Sequence, residues 1–193
     1  GSMKYIQIGN TEKAAKMIAD MTGADLFKIE QKIPYAADYN TCIAQAKEDK
    51  QTGKRPEILN LPQDIDQYDE IYLGYPNYWG TMPMAVYTFL ESYDFTGKKI
   101  HPFCTHEGSG LSNTESDIKK SAKGAVIEKG IAIHGSSVDQ AKDVLETEIE
   151  VRKMECKEIR VDVRTASIKE STEGQRQTKI LFPIIMIHMI CVL

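Results

Sequence analysis

The chain carries no cysteine pair at a metal-binding or redox spacing. Its four cysteines, Cys42, Cys104, Cys156 and Cys191, are scattered, with neither a CxxC nor a CxxxH pattern. That excludes the usual zinc and dithiol signatures and fits reduced thiols in a cytoplasmic protein. A strong charge bias is also missing: the formal net charge of -4 comes with no concentrated basic segment, which excludes nucleic acid as the main partner. No apolar run is long enough to cross a membrane. The longest, ILFPIIMIHMICVL from Ile180 to Leu193, is shorter than the ~20 residues of a spanning helix and is interrupted by Pro183. Nor can a Ser-His-Asp triad, a paired-carboxylate site or a metal-ligand set be assembled from spacing, so no catalytic residue and no metal is assigned. Gly1 and Ser2 read as the remnant of a cleaved tag, and no signal peptide follows them.

What is present is ordinary globular material. Hydrophobic residues make up 41% and charged residues 27% of the 193, enough to bury a real core in one domain with an appendage. Short apolar runs alternate with amphipathic stretches. Lys4 to Ile8 reads as a strand, Thr11 to Thr22 as a helix closed by Gly23, and Leu26 to Ile29 as a second strand. Ala37 to Lys50 reads as a helix, and Glu70 to Gly74 as a third strand. Pro83 suits a first helical position, and Val86, Phe89, Leu90 and Tyr93 fall on one face of the helix that follows, which Gly97 stops. Lys99 to Cys104 and Ala125 to His134 complete five strands. Ser112 with Glu115 and Ser137 with Gln140 have the spacing of capping boxes. Near-continuous apolar strands alternating with helices predict a parallel sheet covered on both faces, a doubly wound α/β domain over residues 1–150. Beyond Glu150 the pattern breaks: residues 151–193 form a polar, aperiodic tail with an apolar end.

In an open parallel sheet, ligands bind outside the carboxyl ends of the strands. Gly9-Asn10-Thr11 lies between a strand and a helix, so its amides and polar side chains can cradle a phosphate at a helix N-terminus; the same tripeptide also serves as an ordinary N-cap. Trp79, the single tryptophan, sits in GYPNYWGTMP after the third strand, where its ring can lie against a planar ligand or fold back on the core. Thr105-His106-Glu107-Gly108-Ser109-Gly110, after the fourth strand, can hydrogen-bond the rim of the same ring or form a plain glycine turn. His106 is a candidate proton donor or a simple hydrogen-bonding residue; His101, His134 and His188 carry no stronger signal. Binding loops without an acid, base or nucleophile are what a cofactor that supplies the chemistry leaves behind.

The run YPNYWGTMPMAVYTFLESYDFTGKKIHPFCTHEGSGLSNTESDIKK, Tyr75 to Lys120, resembles the flavodoxin-like family of small bacterial FMN proteins, especially the group with GTMPMAV and PFCTHxGSGL loops. IAIHGSS, Ile131 to Ser137, and TGADLFKIE, Thr22 to Glu30, are similar too, so the likeness covers roughly residues 4 to 150. It implies a three-layer α/β/α sandwich around a five-stranded parallel sheet of order 2-1-3-4-5. It also implies FMN as cofactor, its phosphate loop on Gly9, Asn10 and Thr11. The stacking loop falls on Pro76, Asn77, Tyr78, Trp79, Gly80 and Thr81, and a second ring-contacting loop on Thr105, His106, Gly108, Ser109 and Gly110. Such proteins pass electrons to a protein partner or reduce a quinone or similar small acceptor.

Two features depart from the family. Ile8 stands where a hydroxyl residue usually precedes the Gly-Asn-Thr, on a strand of only about five residues, and the tail after Glu150 has no family counterpart. A short central strand leaves backbone groups and apolar surface unpaired, and the apolar run Lys179 to Ile187 is of strand length. The tail is therefore expected to pack on the sheet, to pair with a second copy of the chain, or to stay disordered. The function expected is FMN-dependent electron transfer or reduction, and the modest net charge favours a reductase-like role over a carrier that docks through an acidic face. The alternative is a flavodoxin-fold interaction module with weakened FMN binding.

Overall fold

The computed structural model describes residues 8–59, 61–152 and 183–187. Helix α1 (Asn10–Thr22) buries Thr11, Ala14, Ala15 and Ile18 and leads to strand β1 (Asp25–Gln31). Helix α2 (Tyr39–Thr52) is capped by Asp38, whose carboxylate accepts from the Thr41 amide. The two-residue strand β2 (Ile58–Leu59) and strand β3 (Glu70–Pro76) follow, then α3 (Met84–Glu91), β4 (Lys99–His106), α4 (Thr114–Ser121), β5 (Val126–Ile127) and β6 (Ile131–His134). A 3-10 turn spans Gly135–Gln140 and gives way to helix α5 over residues 142–152. The last strand, β7, is Pro183–Ile187.

Among the described residues, these strands form one sheet of order β2-β1-β7-β3-β4-β5, with β6 also paired to β4. Every pairing is parallel except that of β1 with β2. One layer, from α3 and α4, packs Val86, Phe89, Leu90 and Ile118 with Ile71, Leu73, Tyr75 and Ile100. The opposite layer packs Ala14, Ala15 and Ile18 of α1 and Leu145 and Ile149 of α5 with Tyr72, Phe103, Ile131 and Ile133. The three-layer α/β arrangement is thus the one that alternating strands and helices impose.

The sheet differs from the expected five strands in order 2-1-3-4-5. The position between β1 and β3 holds β7, from the tail, and not Lys4–Ile8. Residues 4–7 of that expected strand lie outside the described residues, and Ile8 is an exposed bend. The expected fifth strand, Ala125–His134, is split into β5 and β6, which pair with successive parts of β4. Neither capping box forms. Ser112 has φ 50 and donates to the Ser109 carbonyl, while Glu115 accepts from the Gly130 amide. Ser137 lies inside the 3-10 turn, so the second box starts no α-helix. Local spacing proposed both boxes; in the first, Ser112 and Glu115 bond the Ser109 carbonyl and the Gly130 amide instead of capping the helix. Helix α3 ends at Glu91, short of Gly97, and Tyr93 and Phe95 instead pack edge-on to each other beside Phe89.

Candidate functional site

The carboxyl ends of β3 and β4 and the start of α1 meet at one edge of the sheet. Gly9 is the N-cap of α1 and has no side chain to accept from the first-turn amides, so those donors and the positive end of the helix dipole are left to an external anion. Asn10 and Thr11 open the helix, and the Thr11 hydroxyl meets the Thr105 hydroxyl at 2.7 Å, fixing α1 to the end of β4. Lys13 joins α1 to Asp139 by an exposed ion pair of 2.8 Å.

Pro76 ends β3, and Asn77 then ties this edge together. Its amide donates to the Thr105 carbonyl at 2.8 Å. Its Nδ2 donates to the Gly110 carbonyl at 2.9 Å and to Ser112 Oγ at 3.0 Å, and its Oδ1 accepts from the Gly80 amide at 3.1 Å. With Asn77 buried, a polar side chain is kept inside only because all its groups are matched. Tyr78 and Thr81 pair across a tight turn whose central residues, Trp79 (φ 55) and Gly80 (φ 80), both have positive φ. That is the backbone of a type I′ turn, which favours Asn or Gly and strains a residue such as tryptophan. Thr81 closes the far side through Asp117 at 2.6 Å and the Tyr87 hydroxyl at 2.7 Å.

The Trp79 ring is not folded into the core: it is 47% exposed. It leans on α2, where its Nε1 donates to the Ile43 carbonyl at 3.2 Å and the Lys47 ammonium stands 5.1 Å from the ring centre. Lys50 donates to the Trp79 carbonyl. Tyr39, Ile43, Tyr78 and Trp79 line a cavity of about 170 Å³. Helix α2 is thus the part of the site that sequence reasoning missed. Its signal was thin, a polar helix whose two lysines, Lys47 and Lys50, turn toward an aromatic loop.

Across the edge, His106 ends β4. Its Nδ1 accepts from the Gly108 amide at 2.9 Å, and its ring meets His134 edge-on at 5.5 Å. Burial first, and then the neighbouring His134, hold the His106 imidazole below the usual histidine range, with Glu107 pulling the other way. His134 contacts Ser136 Oγ at 2.9 Å and Glu107 Oε2 at 3.6 Å. Gly108 and Gly110 both have positive φ, and the Ser109 carbonyl is held by the Ser112 hydroxyl. Gly135 approaches so closely that a Cβ there would stand 2.4 Å from Glu107 Oε1 and 2.7 Å from Asn10 Nδ2. Beneath the loop, burial pushes the Cys104 thiol up to about 12. The structure therefore brings residues 9–11, 76–81 and 105–110, Glu107 included, to one edge, and adds Ser112 and Gly135 to them.

A family model described as Flavodoxin matches residues 3–148. The chain belongs to the flavodoxin family. Among solved structures it is similar to one described as a candidate flavoprotein from Bacteroides uniformis, at 28% identity and a TM-score of 0.64, covering 72% of this chain and 90% of that one. A second candidate flavoprotein, from Bacteroides eggerthii, is 26% identical with a TM-score of 0.60, covering 72% and 92%. A flavoprotein from Lactobacillus acidophilus, solved in complex with FMN, is 25% identical with a TM-score of 0.55, covering 67% and 89%. No curated protein matches the chain. In this flavodoxin no helix among the described residues is long and apolar enough to cross a membrane.

Proposed function

We propose that this flavodoxin binds FMN at the carboxyl edge of the sheet and uses it to transfer electrons or to reduce a small acceptor such as a quinone. The observation that carries the reading is the open N-terminus of α1, a donor set of the kind that holds phosphate, fixed by Thr11 and Thr105 beside two loops braced through Asn77. The donors fit a phosphate made fast by backbone amides, the Thr11 hydroxyl and the Asn10 amide. Trp79, Tyr78 and the 105–110 loop supply aromatic surface and polar groups suited to a flat ring with a hydrogen-bonding rim. The FMN complex of the Lactobacillus acidophilus relative supports the choice of ligand. Bound FMN supplies reversible electron or hydride transfer. This chain's residues hold and orient it, and His106 places a titratable ring at the rim.

Titration of the protein with FMN, followed by quenching of flavin fluorescence, tests the reading. Saturable quenching at micromolar FMN is expected, and its absence overturns the proposal. Oxidation of NAD(P)H with a quinone acceptor by the loaded protein then separates a reductase from a carrier. A second reading, an interaction module with a weakened FMN site, draws on Ile8, which offers no hydroxyl to a phosphate and is exposed.

A further inference from the structure

We propose that the cavity between α2 and the Trp79 turn is a second ring pocket, separate from the surface assigned to the flavin. Its ligand is a single-ring aromatic acceptor that carries a negatively charged or negatively polarised oxygen. The acceptor role rests on the FMN reading, whereas binding of the ring does not. Size sets the first limit. Tyr39, Ile43, Tyr78 and Trp79 line about 170 Å³, and an engineered apolar cavity of about 150 Å³ binds one benzene ring. The fused three-ring system of FMN needs more room than that. Three of the four lining side chains are aromatic and the fourth is aliphatic, a surface that takes a flat apolar ring. Trp79 is still 47% exposed while it lines this space, so indole surface remains for the flavin.

The pocket is held open by main-chain anchors on both sides. The indole Nε1 donates to the Ile43 carbonyl at 3.2 Å, Lys50 donates to the Trp79 carbonyl, and the Tyr78 amide donates to the Thr81 carbonyl at 2.7 Å. Helix and turn are therefore joined across the cavity without a side chain filling it, and a ligand finds its walls already placed.

Charge sets what the ring carries. The Lys47 ammonium stands 5.1 Å from the Trp79 ring centre and forms no ion pair among the described residues. The carboxylates of α2 are on its other side: Glu48 and Asp49 line a separate cavity, where Asp49 is held by the Tyr35 hydroxyl at 2.7 Å and Lys54 at 3.0 Å. Asp38, next to Tyr39, is spent as the helix cap on the Thr41 amide and hydroxyl. The helix thus turns cations, and no carboxylate of its own, toward the aromatic pocket. Such a field draws an electron-rich oxygen and draws it harder as negative charge develops on it. A one-ring quinone fits these terms. With reduced FMN as donor, two electrons and two protons pass to the quinone, leaving the hydroquinone and oxidised FMN.

The chain has one tryptophan, so the indole N–H gives a single NMR resonance that reports on the pocket wall. Benzoate, a one-ring anion, is the probe. In the FMN-free full chain it is expected to shift that resonance saturably at millimolar concentration or below; no saturable shift overturns the proposal. With FMN bound, benzoate is expected to bind still, and competition between the two places the cavity inside the flavin slot and overturns a second pocket. Ile43→Phe fills the cavity and is expected to abolish the benzoate shift while FMN binding is kept; a variant that binds benzoate like the native chain assigns the shift to another surface. Lys47→Gln is expected to weaken benzoate about two- to fivefold, the range of an exposed charge pair, and to leave uncharged benzyl alcohol unchanged. Equal losses for both ligands overturn the charge assignment. A chain that binds benzoate but no FMN loses the acceptor role together with the FMN reading and keeps the ring pocket, so the two failures are told apart.

Discussion

On the β3–β4 side of the sheet, each loop at the ligand edge is fastened to the next by side chains, whereas on the β1–β7 side the middle strand is brought from the far end of the chain. Asn77, Thr81 and Ser112 close the first side with hydrogen bonds of 2.6 to 3.1 Å. The start of α1 joins that side through the buried Thr11–Thr105 contact and an exposed ion pair, and exposed pairs contribute little. The loops after β3 and β4 are therefore preorganised by contacts among themselves, while the start of α1 beside them also depends on how the sheet is assembled.

The largest test of this contrast is a cavity under the strong side. Phe103 is fully buried, and its ring fills the space that a Cβ on Gly74 would need, 2.2 Å away. Phe103→Ala is expected to cost about 3–5 kcal/mol in urea unfolding, more than any single change in the loops. A loss below about 1 kcal/mol would mean that the β3–β4 half is not the stable half. Next comes Asn77→Ala, which leaves the Gly110 carbonyl and the Gly80 amide without their partner. It is expected to lower stability by about 1–3 kcal/mol and to weaken FMN binding as the two loops part. If binding is unchanged, the bracing is structural only.

Most of the frame was legible in the sequence because it rests on periodicity. Val86, Phe89 and Leu90 share a face and are buried together, and the runs at 70–76 and 99–106 are apolar enough to be central strands. The loops at the carboxyl edge were legible as a set because the parallel topology puts them there. Less legible was anything decided by pairing at long range. The expected first strand, KYIQI over Lys4 to Ile8, and β7, PIIMI, are both five-residue runs with strand-forming residues, and no local rule says which of two such segments enters a sheet. Ser112 and Glu115 fit a capping box on paper, but Ser109 and Gly130 offered better partners. The lean of Trp79 onto α2 also had no local signature, since it depends on the main-chain carbonyl of Ile43.

A smaller effect, of opposite sign, comes from the turn itself. Trp79 holds φ 55 where Asn or Gly is the comfortable choice. Strain of this kind persists where surrounding contacts over-determine it, and here Lys50, Ile43 and the Tyr78–Thr81 pairing do so. Trp79→Asn is expected to leave stability unchanged or raise it by about 1 kcal/mol, while FMN binding weakens. A variant that loses stability and keeps its affinity would show that the indole is held for the fold.

The smallest effect is a pH dependence from His106. Its folded value lies below the usual histidine range, with burial the main cause and His134 the second. Above about pH 6.5, the ordinary histidine value, the ring is neutral in both folded and unfolded chains and contributes no slope. As the pH falls through that value, the unfolded chain takes up the proton first, so stability is lost until the folded ring protonates as well. Protonation would also remove the Nδ1 lone pair that accepts the Gly108 amide. Melting temperatures measured from pH 8 to pH 5.5 should fall more steeply for the native chain than for His106→Asn, whose side-chain oxygen can still accept from Gly108. Parallel curves would clear His106 of the effect and leave the loop after β4 as insensitive to protons as the turn around Trp79.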